Sequence, residues 1–195
     1  MRAETRRFLT TIFTSSPGLT WLRNFTLSSE AKKMRDEGID VISFATGEPD
    51  FATPKNISKA SIIAIESGLT KYPPSAGLPE LRKAIAAKLK RENSLSYDPS
   101  QIAVTCGGKH AIYNALQVIL DPGDEVVIPA PFWVSYPDQV KLADGKPVIV
   151  ETGPETSYKI TLPMLKKAVT DKTRAFILNS PSNPTGNAYA ESELR

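Results

Sequence analysis

Three short stretches of the sequence combine residues that could hold an anion or a flat ring. The first, residues 105–110 (TCGGKH), joins a predicted strand to an apolar helix. Its two glycines let the backbone turn tightly and approach a ligand closely, and the free N–H groups at the start of a helix attract anions. Lys109 adds a full positive charge, so this stretch predicts a phosphate-binding turn. The alternative is a glycine-opened helix that is only a tight connection. The stretch is not a Walker P-loop, because Ala103 and His110 stand where that motif needs Gly and Ser or Thr.

The other two stretches offer a flat aromatic surface and a rigidly held amide. Residues 130–137 (APFWVSYP) contain Trp133, which could stack on a planar ring or simply pack in the core. Residues 179–186 (NSPSNPTG) contain Asn183 between constrained positions, so its amide could face a ligand oxygen. The alternative is a turn that tolerates Asn for backbone reasons. Taken singly, each stretch leaves both readings open.

The elements that position these stretches alternate between strand and helix in the second half of the chain. That alternation predicts an α/β domain with a mostly parallel sheet flanked by helices. Ligands of such sheets bind outside the carboxyl ends of the strands, and all three stretches directly follow predicted strands. The predicted strands are residues 41–44, 102–105, 125–128, 147–150 and 175–178. The predicted helices are residues 28–37, 55–67, 78–92, 111–120, one after Trp133, 162–169, and one opening at Ser192.

Composition excludes several classes of protein. The 195 residues are 41% hydrophobic, which is enough for one sizeable core. A net charge of +3 from 24 basic and 21 acidic side chains indicates a mixed surface, so we expect no nucleic-acid partner. No apolar run approaches the ~20 residues of a membrane span. One cysteine, Cys106, and one histidine, His110, predict neither an internal disulfide nor a zinc site, and a lone cysteine fits a reducing compartment.

The first 25 residues differ from the rest of the chain. They are rich in Arg, Ser and Thr and contain a single acid, Glu4. This is the composition of an organelle transit peptide, and the alternative is an ordinary N-terminal arm that packs on a partner. We predict a cytoplasmic protein, with an organelle as the alternative if these residues are a transit peptide.

Six motifs in fixed order give the chain a specific resemblance to a known family. Between about residues 27 and 195 the sequence resembles class I aminotransferases, most of all the bacterial branch of aspartate aminotransferases. The motifs are residues 47–51 (GEPDF), 71–82 (KYPPSAGLPELR), 107–109 (GGK), 121–126 (DPGDEV), 131–133 (PFW) and 183–186 (NPTG).

The resemblance implies a cofactor, a fold and partners. The cofactor would be pyridoxal 5′-phosphate, and the fold the three-layer fold type I of pyridoxal-phosphate transferases. Residues 1–46 would form an N-terminal arm and small-domain segment, and residues 47–195 the first part of the large cofactor-binding domain. The substrates would be amino acids and 2-oxo acids, and the active site would lie at a homodimer interface.

The resemblance also implies roles for single residues. Gly107, Gly108 and Lys109 would bind the cofactor phosphate, and Tyr72 would reach the phosphate of the neighbouring subunit. Trp133 would stack on the pyridine ring, and Asn183 would donate to its phenolic oxygen; both would also contact the substrate. The Gly47 backbone would contact the substrate carboxylate. The peptide bonds Ala130–Pro131 and Asn183–Pro184 would be cis.

The family's Schiff-base lysine would lie beyond Arg195, so we expect no catalytic residue in this chain and no activity from it alone. We interpret the chain as a truncated N-terminal portion. One departure from the family is the altered stretch 16–24 (SPGLTWLRN), whereas Thr46 resembles the subset of these enzymes that also accepts prephenate. Two alternatives are a lyase or synthase of the same fold and a non-catalytic, aminotransferase-like sensor domain of a regulator.

Overall fold

The computed structural model describes residues 21–42 and 50–195, and the side chains of residues 29–42 and 50–195. The chain forms two compact units. One unit is Gly47–Ala111, and the other combines Met1–Thr46 with Ile112–Arg195. The division into an N-terminal arm (1–46) and a cofactor-binding domain (47–195) stays a prediction.

The first described element is helix α1 (Trp21–Asp36). It ends two residues before Gly38, which has a left-handed φ of 83°, while the Ile39 N–H donates to the Met34 carbonyl at 3.0 Å. A glycine in this conformation is a common helix stop, because it carries no Cβ that would clash. The predicted helix at 28–37 is confirmed but begins seven residues earlier. The predicted strand at 41–44 is wrong for residues 41 and 42, which are not in a strand; residues 43 and 44 lie outside the described residues.

The unit Gly47–Ala111 contains helices α2 (Lys55–Glu66) and α3 (Pro79–Asn93), followed by a 3-10 turn (Pro99–Gln101). Both helices were predicted. Pro79 begins α3, a position where its missing N–H costs nothing. Asp98 caps the 3-10 turn by accepting the Ser100 N–H at 2.8 Å, so local sequence determines these boundaries.

The predicted strand at 102–105 is wrong. These residues form no strand, although the Val104 N–H donates to the Ala76 carbonyl at 3.0 Å. A short apolar run has the composition of a strand, but a strand also requires a neighbour that pairs along its length. Among the described residues, this run is joined to the segment 76–77 by one backbone hydrogen bond and forms no ladder of hydrogen bonds with a strand.

The second unit contains a three-stranded parallel sheet in the order β2-β1-β3. Val127 of the central strand pairs with Val148 of β2 and with Phe176 of β3. The predicted last strand at 175–178 lies two residues earlier, although the Ile177 N–H still donates to the Val127 carbonyl at 3.0 Å. In chain order the elements are α4 (Gly108–Ile119), β1 (Glu125–Ala130), α5 (Ser135–Leu142), β2 (Lys146–Glu151), a 3-10 turn (Pro154–Thr156), α6 (Leu162–Ala168), β3 (Thr173–Phe176) and α7 (Glu191–Leu194).

The core of this unit lies on one face of β1. Val126 and Ile128 are two residues apart, so both side chains leave the same face of the strand, and both are almost fully buried. They form a cluster with side chains of α4 and α5 and the residue after each helix, namely Leu116, Leu120, Val140 and Ala143. The helices on either side of β1 along the chain therefore cover the strand that carries the loop 130–137.

A buried carboxylate ties together the amino ends of the strands, opposite the candidate site. Glu125 of β1 accepts hydrogen bonds from Lys146 of β2 at 2.9 Å and from the Thr170 hydroxyl, ahead of β3, at 2.7 Å. The hydrogen bond from Lys146, and then that from Thr170, lowers the pKa of Glu125 below its ordinary value. The contacts of Glu125 thus join the amino ends of the strands. The candidate loops leave the sheet at the opposite, carboxyl ends.

Candidate functional site

The loop after β1 carries Trp133 at the carboxyl edge of the sheet. The peptide bond Ala130–Pro131 is cis, as the resemblance implies. Trp133 is half-buried, and its carbonyl accepts the Tyr136 N–H at 3.0 Å as α5 begins. The backbone of Trp133 is thus tied to the start of α5, and part of the residue's surface stays accessible.

The loop after β3 presents Asn183 at the same edge. Asn183–Pro184 is cis, as the resemblance implies, and Ser180–Pro181 is cis as well. The Asn183 N–H donates to Asn179 Oδ1 at 2.8 Å, while the Gly186 N–H donates to the Ser182 carbonyl at 2.7 Å. Asn183 itself is exposed. Because β1 and β3 are adjacent and parallel, the loops that carry Trp133 and Asn183 leave the sheet at the same edge, as predicted. The prediction that the stretch 105–110 also follows a strand is wrong.

A small cavity lies beneath these two loops. Its lining includes Ile128, Phe132 and Tyr136 on one side and Ile177, Asn179 and Tyr189 on the other. Burial raises the pKa of Tyr136 above its ordinary value. Neither Trp133 nor Asn183 is among the lining residues, so this cavity is distinct from the surface that those two residues would offer a ligand.

A further segment, residues 153–160, is held against the Asn183 loop and was not predicted as part of the site. Asn187 Nδ2 donates to the Ser157 carbonyl at 2.6 Å, and the Ile160 N–H donates to the Tyr189 hydroxyl at 2.9 Å. Lys159 Nζ lies 2.6 Å from Glu193 Oε1. The sequence carried little sign of these contacts, because they join residues 29 to 34 positions apart.

The glycine turn before α4 belongs to the unit Gly47–Ala111. Gly107 has a left-handed φ of 82°, which an L-residue rarely adopts, and helix α4 begins at the next residue. The Thr105 hydroxyl donates to the Gly107 carbonyl at 3.0 Å, and the Cys106 N–H donates to His110 Nδ1 at 3.2 Å. Local hydrogen bonds therefore fix the backbone conformation of the turn.

The space in front of this turn suits a phosphate group. A Cβ built on Gly107 or Gly108 would meet no atom within 4 Å, and Lys109 is exposed. The first N–H groups of a helix have no partner within the helix and carry partial positive charge. Open space, these N–H groups and a neighbouring ammonium are what a phosphate dianion requires.

No contact described by the structure bears on the predicted roles of Tyr72 and Gly47. Tyr72 is fully exposed and lies, like residues 107–109, in the unit Gly47–Ala111. Gly47, predicted to contact the substrate carboxylate, lies outside the described residues, as does Thr46. The roles of both residues stay predictions.

Comparison with known proteins identifies the class to which this fold and these loops belong. The family model described as aminotransferase class I and II matches residues 39–195, and the chain therefore belongs to this family. Its fold is the N-terminal part of the α/β fold type I of these enzymes.

The relatives that the chain matches include aspartate and aspartate/prephenate aminotransferases. The chain is 54% identical over 176 residues to an aspartate aminotransferase of Bacillus sp. (strain YM-2), which covers 90% of the chain and 45% of the relative. It is 53% identical over 168 residues to an aspartate/prephenate aminotransferase of Cereibacter sphaeroides, covering 86% of the chain and 42% of the relative. The solved structure of the aspartate aminotransferase from Thermus thermophilus with maleate matches with a TM-score of 0.84 and 44% identity, covering 92% and 46%. The chain thus spans less than half the length of these relatives.

The described residues contain neither a cluster of metal ligands nor a membrane-crossing helix. In residues 21–42 and 50–195, no group of three or more His, Cys, Asp or Glu side chains is arranged to hold a metal ion. Over the same ranges, no helix is both long enough and apolar enough to cross a membrane.

Proposed function

We propose that the protein containing this chain is a pyridoxal-phosphate-dependent aminotransferase that converts aspartate and 2-oxoglutarate to oxaloacetate and glutamate. The observation that carries the proposal is the shared sheet edge from which the loops of Trp133 and Asn183 start, in a chain 54% identical to an aspartate aminotransferase. The open glycine turn at the start of α4 supports it, because the turn suits the phosphate of this cofactor.

The cofactor supplies an electron sink when bound, and the chain's own residues hold and tune it. Gly107 and Gly108 offer backbone N–H groups to the phosphate, and Lys109 adds a charge-assisted contact. Trp133 stacks on the pyridine ring. Asn183 donates to the phenolic oxygen and so favours its anionic form, because a hydrogen bond to the charged form stabilises it.

Further roles concern the substrate and the second subunit of a homodimer. The Gly47 backbone contacts the substrate carboxylate, and Tyr72 reaches the phosphate in the neighbouring subunit's site. The full exposure of Tyr72 supports this role, because the phenol is available to a second chain. Prephenate is a further proposed acceptor, supported by the similarity to aspartate/prephenate aminotransferases.

The test is an assay of the full-length protein loaded with pyridoxal phosphate. Aspartate and 2-oxoglutarate should give oxaloacetate and glutamate in equal amounts, with prephenate tried as a second acceptor. Loss of aspartate without glutamate formation would instead indicate a lyase, and binding without any turnover would indicate a sensor domain. A protein made of residues 1–195 alone should form no glutamate above the background of free cofactor.

The partner role of Tyr72 has its own test, because the chain offers two defects that can be separated. A Tyr72→Phe chain mixed with an Asn183→Ala chain forms hybrid dimers. If Tyr72 serves the opposite site, one hybrid site carries both defects and the other neither, so the hybrid should regain about half of wild-type activity. Hybrid activity at the mean of the two parents would show that Tyr72 acts within its own subunit.

A further inference from the structure

The backbone of Asn183 is held by a side chain four residues earlier. Asn179 Oδ1 accepts the Asn183 N–H at 2.8 Å, and Asn179 is half-buried between Ile177 and the loop. A backbone N–H can only donate, so the amide oxygen of Asn179 must face it. Asn179 therefore acts at this contact as an acceptor.

The other end of the same loop is held by an amide with the opposite polarity. Asn187 Nδ2 donates to the Ser157 carbonyl at 2.6 Å, while the Asn187 carbonyl accepts the Ser182 N–H at 2.8 Å. A backbone carbonyl can only accept, so the amide nitrogen of Asn187 must face Ser157. Asn187 thus joins the turn that carries Asn183 to the segment 153–160.

That segment is a firm anchor for the loop. Ser157 and Tyr158 both have left-handed φ values, 53° and 55°, and such a backbone persists only where its surroundings hold it. Lys159 is held to Glu193 by an ion pair at 2.6 Å. The carbonyl that Asn187 meets therefore belongs to a segment with hydrogen bonds and an ion pair of its own.

We propose that Asn179 and Asn187 are the positioning residues that set the orientation of Asn183 toward the cofactor, Asn179 as an acceptor and Asn187 as a donor. This inference rests on the proposed function, since it takes Asn183 as the residue that contacts the cofactor. Neither positioning residue needs to touch the cofactor, because each acts on the backbone of the Asn183 loop.

Because Asn179 accepts and Asn187 donates, replacement by aspartate should have opposite consequences at the two positions. Asn179→Asp keeps an acceptor facing the Asn183 N–H, so the loop stays in place. Asn187→Asp puts a carboxylate oxygen against the Ser157 carbonyl oxygen, which replaces a hydrogen bond by a repulsion. Asn179→Leu, similar in shape but unable to accept, should resemble Asn187→Asp. Asn93→Asp is the control for added charge, because Asn93 is exposed and its side-chain oxygen already accepts from Lys88.

The first measurement is hydrogen exchange of the 180–187 segment in the full-length protein without cofactor. Loss of one hydrogen bond should speed exchange about threefold to tenfold in Asn179→Leu and Asn187→Asp. Asn179→Asp and Asn93→Asp should exchange at the wild-type rate. If Asn187→Asp does not fold, as judged by circular dichroism, Asn187→Leu replaces it with the same expected increase. Equal exchange in Asn179→Asp and Asn187→Asp would overturn the proposal.

The second measurement follows the absorbance of the bound cofactor against pH. A misplaced Asn183 no longer favours the anionic phenolic oxygen, so the pH midpoint of the absorbance change should rise. We expect this rise in Asn179→Leu and Asn187→Asp, as in Asn183→Ala. The midpoint should not rise in Asn179→Asp. A midpoint unchanged in Asn183→Ala would refute the proposed role of that residue. Unchanged exchange in both Asn179→Leu and Asn187→Asp would refute the positioning, whatever the cofactor does.

Discussion

Gly77→Ala is the substitution for which the structure gives the sharpest expectation. Gly77 lies in the motif 71–82 that also carries Tyr72, and it has a left-handed φ of 96°. A Cβ at this position would lie 2.7 Å from the Cβ of Val104, and the Val104 N–H donates to the Ala76 carbonyl at 3.0 Å. Residues 76–77 therefore pack backbone-to-side-chain against the segment that leads into the glycine turn.

Two costs add at Gly77, and a control position separates them. A left-handed conformation costs an L-residue about 1–2 kcal/mol, and forcing a methyl group into a filled space costs about 1–3 kcal/mol more. Val104 is β-branched and gives way poorly, because its χ1 is restricted. Gly68 has a similar φ of 79° but nothing within 4 Å of an added Cβ. Gly77→Ala should therefore lower the free energy of unfolding by about 2–5 kcal/mol, and Gly68→Ala by about 1–2 kcal/mol.

The assay is urea unfolding of the full-length protein, followed by circular dichroism. The free energies of unfolding are compared between variants whose slopes against urea concentration agree. Gly77→Ala should cost less in a Val104→Gly background than in the wild-type background, because the next atom met is then the Val104 Cα at 3.8 Å. Equal destabilisation by Gly77→Ala and Gly68→Ala would show that the close approach to Val104 contributes nothing, and the reasoning would fail.

Three further expectations concern the cofactor and pH. Trp133→Ala should weaken cofactor retention and shift its absorbance, because stacking contributes ~1 kcal/mol beyond area burial; an unchanged spectrum and affinity would mean core packing only. Gly108→Val should raise the dissociation constant of pyridoxal phosphate more than Lys109→Ala, since the added side chain projects into open space where the anion would sit; equal losses for pyridoxal and its phosphate in Lys109→Ala would contradict the phosphate assignment. The Lys146 hydrogen bond lowers the pKa of Glu125 below 4.5, so the stabilising effect of the ionised Glu125 is present above that pH and is lost as pH falls through the lowered pKa. Glu125→Gln should therefore flatten the acid side of the stability profile. An unchanged profile would count against this role of Glu125.

Local sequence was sufficient where a residue's neighbours in the chain decide its structure. The apolar run around Val127 predicted a strand at residues 125–128, and β1 (Glu125–Ala130) lies there. Helix α2 was also predicted correctly from its own residues, whereas the cis bond Asn183–Pro184 was implied only by the resemblance to the family. The order of six short motifs was enough to indicate the family that the chain belongs to.

Tertiary structure decided what depends on a distant partner. Residues 102–105 have the composition of a strand, yet they form none, because pairing requires a second strand and not only an apolar run. The contact between Asn187 and Ser157 spans 30 residues, and no local pattern specifies which carbonyl an amide will meet. Sequence therefore identified Asn183 as a candidate, whereas the polarity of the bonds that hold it follows only from the folded backbone, whose N–H and carbonyl groups have fixed roles as donor and acceptor.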